Sequence, residues 1–406
     1  MKKNISSYFL VLVMLLVIAG CGGIVLYADI NGGSAWGPTP YPSPAPSMTP
    51  VETVLATGRT NAFDIALSPD GQYAYWTENI GNGGGVYRIK TSGDPQNKVE
   101  TVAGGYPSTY SLTLGASGGT SYLYFTQKSS VGTVMRLKVP EQNEGWGTAE
   151  TYVKGLTNPV WIKFNTDGCI YWTEFVQANG RMRRINAGIP SSQVPQGGFS
   201  TGDSQVETIN STQGFNFPYN FCFDGNGNAL VAELAGSGST IWFVKLAKDQ
   251  APFKAYTNSQ NCRYPTALLY DNSTNFVYFA NYQQDTGIYR FLFSTAAMVT
   301  TADTLETGRW RPFALSGPHI GQLFFSVNET RANAGSIYYE SVNDITLPAV
   351  NALGPWTTCT SPLTFQYSGG LLYWVEDPEF NVVTAECVGS TQCRVMKFNP
   401  SGTQKE

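Results

Sequence analysis

Four glutamates recur at matching places in this 406-residue chain, each closing a short run of aromatic or small apolar residues. The four are Glu78, Glu174, Glu233 and Glu376. Gln127 and Asn281 close two further runs of the same kind. Carboxylates gathered around one axis can bind a ligand or a hard cation such as Ca²⁺. The sequence favours a structural role, in which each glutamate tethers neighbouring elements by hydrogen bonds or by ion pairs with Arg88, Arg136, Arg184 and Arg290. No cofactor is expected apart from this open Ca²⁺ alternative.

Histidine is almost absent from the chain, and this limits its chemistry. His319 is the only one and lies in a turn rich in glycine and proline. A Ser-His-Asp relay and a zinc site with several histidines both need more imidazoles than one. No catalytic or metal-binding residue is therefore predicted. A lyase with His319 as general base, or a metal-dependent hydrolase that uses the glutamates, remains the alternative function.

Aromatic residues beside proline form a second group of candidates. They lie in the segments that separate the glutamate-bearing runs and include Tyr219, Tyr264 and Trp310. Large aromatic side chains provide much contact area at low entropy cost. We interpret them as a surface that recognises a protein or glycan partner, although they could also pack between structural units.

The elements that must position these side chains repeat seven times. The aromatic runs are centred at residues 76, 125, 172, 232, 279, 325 and 374. Each repeat contains four short strand signals bounded by Gly, Pro, Asp and Asn. A period near fifty residues built from short strands is typical of a β-propeller. The sequence thus predicts an all-β fold over 51–406, a seven-bladed propeller of four-stranded antiparallel blades.

The two ends of the repeat array predict how the ring closes. An outer-strand signal at 51–55 precedes the first repeat, and the last repeat ends after its third strand at 394–398. The N-terminal strand should therefore pair within the last blade, because this hides edges that an open ring would expose.

The best copies of the repeat carry a family resemblance. The Tyr-Trp-Thr-Glu runs at 75–78 and 171–174 resemble the YWTD repeat of low-density-lipoprotein-receptor-type propellers. Those rings usually have six blades and Asp in the fourth position, whereas this chain has seven repeats and Glu. In outline the chain also resembles bacterial seven-bladed propellers of the virginiamycin-B-lyase and NHL-like kinds. The resemblance implies extracytoplasmic binding without a fixed ligand.

The N-terminal residues predict export and a lipid anchor. Lys2 and Lys3 precede a short apolar run, so residues 1–20 read as a signal peptide. Ile18-Ala19-Gly20-Cys21 resembles a bacterial lipobox, in which Cys21 would be lipidated. Gly22 follows in place of an Asp retention signal, which favours the outer membrane or cell surface. Residues 21–50 form a proline-rich tether that should be stiff and extended.

Charge and cysteine usage agree with an exported binding protein. The net charge is −4, only 13% of residues are charged, and no basic run occurs, so nucleic acid is not an expected partner. Six cysteines remain besides Cys21, an even number that favours disulfides in an exported chain. The predicted bonds join Cys387 with Cys393 in one loop and Cys169 with Cys222 between blades. Cys262 and Cys359 stay unassigned.

Overall fold

A computed structural model describes the chain over most of the repeat region. The described residues are 53–81, 83–93, 98–117, 119–140, 145–210, 212–236, 238–247, 250–282, 286–309, 311–319, 321–329, 334–343, 345–346, 349–352, 362–376, 380–381, 386–387 and 393–398. Within these ranges the only helix is one 3₁₀ turn at Ser191–Gln193, and no helix has the length and hydropathy to cross a membrane.

The strands form seven antiparallel blades of four strands, numbered along the chain and given from the inner to the outer strand. The first strand, β1 (Thr53–Arg59), belongs to the last blade. Blade 1 contains β2 (Ala62–Leu67), β3 (Tyr73–Glu78), β4 (Gly85–Lys90) and β5 (Glu100–Gly104). Blade 2 contains β6 (Thr109–Ser117), β7 (Thr120–Gln127), β8 (Gly132–Lys138) and β9 (Glu150–Leu156). Blade 3 begins with β10 (Pro159–Phe164), β11 (Cys169–Glu174) and β12 (Arg181–Asn186). A short strand, β13 (Phe199–Ser200), then pairs parallel to β9, and β14 (Glu207–Thr208) completes blade 3.

The remaining blades follow the same order. Blade 4 contains β15 (Pro218–Phe223), β16 (Asn228–Glu233), β17 (Thr240–Lys245) and β18 (Phe253–Thr257). Blade 5 contains β19 (Pro265–Asp271), β20 (Phe276–Asn281), β21 (Thr286–Leu292) and β22 (Asp303–Arg309). Blade 6 contains β23 (Pro312–His319), β24 (Gln322–Glu329), β25 (Ala334–Ser341) and β26 (Val350–Asn351). Blade 7 contains β27 (Pro362–Ser368) and β28 (Leu371–Glu376), a separate hairpin of β29 (Phe380–Asn381) and β30 (Glu386–Cys387), and β31 (Cys393–Phe398). The predicted fold class is confirmed.

The predicted ring closure is also confirmed. β1 is the outermost strand of blade 7 and pairs antiparallel with β31, with Thr53 opposite Lys397 and Val54 opposite Met396. Across the junction, the hydroxyl of Thr364 in β27 donates to the Phe63 carbonyl in β2 of blade 1, at 3.3 Å.

A threonine in the repeated motif joins one blade to the next. Every innermost strand has a bulge near its start, which leaves one backbone N–H outside the ladder. In blade 1 this N–H belongs to Asp64 and donates to the Thr77 hydroxyl at 3.1 Å. The same hydroxyl donates to the carbonyl of Tyr110 in blade 2 at 2.7 Å. Likewise, the Thr126 hydroxyl of blade 2 donates to the Val160 carbonyl of blade 3, and the Thr173 hydroxyl of blade 3 donates to the Tyr219 carbonyl of blade 4.

The two ends of the ring differ. We call the end with the loops that enter each blade the loop face, and the end with the turns between first and second strands the turn face. Innermost strands are buried at their start, on the loop face, and become exposed toward the turn face, as in β2, β10 and β27. The central channel therefore widens toward the turn face.

Candidate functional site

Glu78 is buried and held by an ion pair rather than open to the channel. Its Oε1 lies 2.5 Å from Nε of Arg59, the last residue of β1, and accepts a hydrogen bond from Trp76 Nε1 at 3.1 Å. The Arg59 guanidinium also lies over the rings of Tyr87 and Trp76, 4.5 and 5.6 Å from their centroids. Glu78 thus links blade 1 to the strand that closes the ring.

Two of the other glutamates also form ion pairs, and the third accepts a hydrogen bond from the backbone. Glu174 pairs with Arg183 at 2.7 Å, and Glu376 pairs with Arg394 at 2.6 Å, both on the third strand of the same blade. Glu233 accepts a hydrogen bond from the backbone N–H of Asn216 at 2.6 Å. Burial raises the pKa of Glu174 and Glu233, partly offset for Glu174 by Arg183.

The predicted arginine partners are wrong. They bind acidic residues of the outermost strand in their own blade, as Arg88 does with Glu100 at 2.7 Å and Arg290 with Asp303 at 3.1 Å. Arg136 and Arg184 likewise pair with Glu150 and Glu207. The reason is strand geometry: neighbouring side chains point to opposite faces, so in blade 3 Arg183, and not Arg184, reaches Glu174.

The last residue of the second strand, the position that the glutamates occupy in four blades, also forms hydrogen bonds with the loop that enters its blade. The Gln127 amide donates to the Pro107 carbonyl at 3.1 Å, and the Asn281 amide donates to the Asn261 carbonyl at 2.7 Å. Among the described residues no group of three or more His, Cys, Asp or Glu side chains is arranged to hold a metal ion. Carboxylates bound separately by arginine or backbone N–H groups do not fit a shared Ca²⁺ site.

The structure also corrects one cysteine prediction. Cys169 and Cys222 are free thiols, so the bond between blades 3 and 4 is absent. Phe223 contacts Tyr171 of blade 3, with ring centroids 5.2 Å apart, whereas Cys222, one residue earlier on β15, belongs to a core cluster with Leu230 of blade 4 and Leu268 of blade 5. Cys393 is buried at the start of β31. The side chain of Cys387 lies outside the described residues, and so do Cys21 and Cys359, so a bond between Cys387 and Cys393 stays a prediction.

The three aromatic candidates have different positions. Tyr219 is 1% exposed, and its hydroxyl lies 3.0 Å from that of Tyr110, so it belongs to the core rather than to a recognition surface. Tyr264 is 40% exposed on the loop face. Trp310 lies outside the described residues.

Tyr264 belongs to a ring of residues with unusual backbone that the sequence analysis missed. In six blades the residue just before the innermost strand has a positive φ between 47° and 54°. These residues are Asn61, Ser108, Asn158, Phe217, Tyr264 and Arg311. Asparagine tolerates this left-handed conformation, whereas bulky residues adopt it rarely. Blades 4, 5 and 6 nevertheless carry Phe, Tyr and Arg there, each before a proline that restricts the backbone further. The X-Pro pairs at 217–218, 264–265 and 311–312 were the available signal.

Aromatic side chains fill the channel at the loop face. Phe63 and Tyr110 lie with ring centroids 4.1 Å apart, and Trp161 meets Tyr219 edge to face at 5.7 Å. All four are buried. The Lys128 ammonium lies over the Tyr110 ring, 5.3 Å from its centroid. The loop face thus presents a rim around a filled centre.

The channel cavity lies beneath this aromatic layer and extends to the turn face. Its volume is about 520 Å³, and its lining runs from Asp64, Trp161 and Asn220 to Pro69 and Ser368 in the turn-face segments. His319 ends β23 on that same face, opposite Gln322. Its side chain is not among the described ones, so the lyase alternative stays a prediction.

Comparisons with known proteins give the fold and no family. No protein-family model matches the chain, and no curated protein does. Among solved structures, a puromycin-hydrolysing peptidase of Mycobacterium tuberculosis is 10% identical with a TM-score of 0.55, over 89% of this chain. The match spans only 55% of that peptidase. A chain of a nidogen/laminin complex is 13% identical with a TM-score of 0.44, over 67% of this chain and 90% of that one. The PQQ-bound aldose sugar dehydrogenase of Streptomyces coelicolor is 15% identical with a TM-score of 0.47, over 70% and 93%. At these identities the likeness is one of propeller fold alone.

Proposed function

We propose that this chain is a lipid-anchored binding propeller of the cell envelope that recognises a protein or glycan partner with its loop face. The contact would centre on the rim of blades 4 to 6, which we call the rim sector and define as Phe217, Tyr264 and Arg311. The observation that carries the proposal is Tyr264, whose side chain is 40% exposed although its backbone has a φ of 50°.

The rim sector carries side chains that its backbone disfavours. A non-glycine residue in a sparsely populated region costs roughly 1–3 kcal/mol and persists only where the surroundings impose it. Asparagine, which blades 1 and 3 use, would relieve much of that cost. Strained bulky residues of this kind concentrate at binding sites, and exposed tyrosine is favoured at interfaces.

Neighbouring side chains make the rim sector firm. Phe217 contacts Phe175 with ring centroids 5.0 Å apart, and the Arg311 guanidinium lies 5.5 Å from the centroid of Tyr282. The backbone N–H of Tyr282 donates to the Tyr264 carbonyl at 3.0 Å. A fixed surface with a tyrosine and an arginine on successive blades suits recognition, because little side-chain entropy is lost on binding.

The two ends of blade 5 provide a matched test. Tyr264→Ala should weaken partner binding at least tenfold, a loss of about 1.4 kcal/mol or more, with little change in the thermal transition. Tyr270→Ala, near the turn-face end of β19, the strand that Tyr264 precedes, should leave binding unchanged. The measurement is the yield of cross-linked partner or glycan isolated with the tagged full-length protein from its native envelope. Equal loss from both variants, or none from Tyr264→Ala, would overturn the proposed site.

The anchor is tested separately at Cys21. Cys21→Ser should release the protein from membranes or leave the precursor unprocessed, because no acyl chains could be attached to the residue. Fractionation and the intact mass of the mature protein measure this. A mature protein with an unmodified Cys21 that still sediments with membranes would contradict the anchor while leaving the loop-face site untouched.

A further inference from the structure

The channel cavity has the character of a ligand site distinct from the loop face. Its volume of about 520 Å³ falls in the usual range for small-molecule sites. Apolar side chains toward the turn face include Leu67, Leu114, Phe164, Leu268 and Leu315, among polar lining groups. Asp64 and Asn220 lie deeper, toward the aromatic layer, and Gln366 and Ser368 lie near the turn face.

Lys163 is the one basic residue among the side chains that line this cavity. It is half-buried on β10, and its ammonium donates a hydrogen bond to the Phe221 carbonyl of blade 4. An ammonium has three N–H donors, so two remain after this bond. Among the described residues Lys163 forms no ion pair, and a cation in such surroundings favours an anionic ligand.

Asp64 is the acidic group that faces Lys163, and its oxygens are already engaged. Its Oδ2 accepts hydrogen bonds from the Ser111 hydroxyl at 2.6 Å and the Leu112 N–H at 3.1 Å. Its Oδ1 accepts one from the Ile65 N–H at 2.9 Å. Asp64 therefore fastens blade 1 to blade 2 and leaves the Lys163 donors to a ligand.

We propose that the channel cavity binds a small monocarboxylate with an apolar tail, its carboxylate on Lys163 and its tail against the leucine and phenylalanine side chains near the turn face. A single ammonium matches one negative charge, and it would leave up to half of a phosphate's charge unbalanced. Binding here is independent of the proposed loop-face function, because the aromatic layer of Phe63, Tyr110 and Trp161 lies between the two regions.

Binding should depend on pH through Asp64. Burial raises the pKa of Asp64 to about 6, against the opposing effects of its bonds to Ser111 and the backbone and of Lys163. Below pH 6 the carboxyl becomes neutral, and Lys163 loses its nearest counter-charge. Burial raises the pKa of the Cys222 thiol, also near Lys163, to about 12, so that group stays neutral. Burial lowers the pKa of Lys163 itself, so acidification favours its charged form as well. Anions should therefore bind more tightly at low pH.

The test is calorimetric titration of the full chain in lipid nanodiscs, with empty nanodiscs as the blank. Hexanoate should bind at least tenfold more tightly than hexanol or hexylamine at pH 7. Hexanesulfonate, which stays ionised throughout, should bind several-fold more tightly at pH 5 than at pH 7.5. Equal affinity for hexanoate and hexanol, or no binding of either, would overturn the proposal without any variant.

Variants locate the site. Lys163→Met should abolish hexanoate binding, and Lys163→Arg should retain it. Lys245→Met, at the exposed end of β17, is the matched control and should behave like the wild type. Asp64→Asn should reduce the pH dependence of hexanesulfonate binding and leave only the part that comes from Lys163. Unchanged hexanoate binding by a folded Lys163→Met variant would contradict the site. If Lys163→Met does not fold, loss of hexanoate binding by a folded Lys163→Arg variant would contradict it instead. Tyr264→Ala should leave hexanoate binding intact, which separates this site from the loop face.

Discussion

We expect a chain that lacks residues 53–59 to lose its cooperative thermal transition and to aggregate. These residues form β1, whose Leu55 and Ala56 are fully buried. Loss of one buried leucine costs about 2–5 kcal/mol. Removal of Arg59 leaves the buried Glu78 without its cation, at a cost of about 3–5 kcal/mol. Together these losses approach the total stability of a typical domain, about 5–15 kcal/mol. The deletion also exposes the edge of β31 to other chains.

Two further variants separate the effect of losing strand β1 from the effects of a shorter chain and of losing the Arg59–Glu78 ion pair. Deletion of seven residues from the proline-rich segment, 40–46, shortens the chain equally and should leave the transition unchanged. Arg59→Met keeps β1 but removes the ion pair and the cation–ring contacts, and it should lower stability by about 3 kcal/mol while the ring stays closed. Differential scanning calorimetry and size-exclusion chromatography measure both effects. A monomeric 53–59 deletion with a transition near that of the wild type would show that β1 does not close the ring.

The second large effect is expected at Glu340, where replacement by leucine should stabilise the protein. Glu340 lies opposite Leu323 in blade 6 and is 2% exposed. The equivalent residues of the other blades are all apolar, namely Ile89, Leu137, Ile185, Val244, Phe291 and Phe398. Both of its carboxylate oxygens lack a hydrogen-bond partner among the described residues. Nothing in the structure explains why this blade carries a carboxylate there.

The stability gained by Glu340→Leu should depend on pH. Burial, and then Glu306, raises the pKa of Glu340 to about 8, while Arg290 and Arg309 oppose the shift. Because the folded pKa lies above the unfolded value of 4.5, the wild type loses stability as pH rises from 4.5 through 8. The full shift corresponds to about 5 kcal/mol. Glu340→Leu should therefore gain about 2–5 kcal/mol at pH 8.5 and much less at pH 5.

Denaturant unfolding at pH 5, 7 and 8.5 measures this difference. Glu100→Leu is the control, because Glu100 is partly exposed and paired with Arg88 at 2.7 Å. It should lower stability slightly and leave the pH dependence unchanged. A Glu340→Leu variant that is destabilised, or that keeps the wild-type pH dependence, would show that the carboxylate is stabilised in the folded protein.

The sequence predicted the architecture because the repeat itself determines it. The sequence has seven outer-strand signals, and its last blade lacks a fourth strand. Only pairing of the N-terminal strand within that blade leaves no open sheet edge, and β1 pairs there. Side-chain direction was harder to predict, because an error of one residue on a strand changes the face: Arg184 was expected beside Glu174, where Arg183 lies. Tyr219 was placed in a loop, but it follows Pro218 inside β15, and strand boundaries are not visible in local sequence.

The site features that the sequence did not reveal arise from tertiary structure. The residues just before the innermost strands have a left-handed backbone conformation, which the blade junctions impose against the local preference of Phe217 or Tyr264. Lys163 and Asp64 are about a hundred residues apart in sequence and come together only because β2 and β10 both line the channel. No short motif marks either feature.

The most direct test of the loop-face function is photo-cross-linking from single positions in the native envelope. Tyr264 and Tyr270 are each replaced in the full-length protein by the photoreactive residue p-benzoylphenylalanine, and adducts are compared after illumination. The proposed function predicts a discrete adduct from position 264 and none from position 270. An adduct only from position 270, or identical adduct patterns from both, would contradict recognition by the loop face.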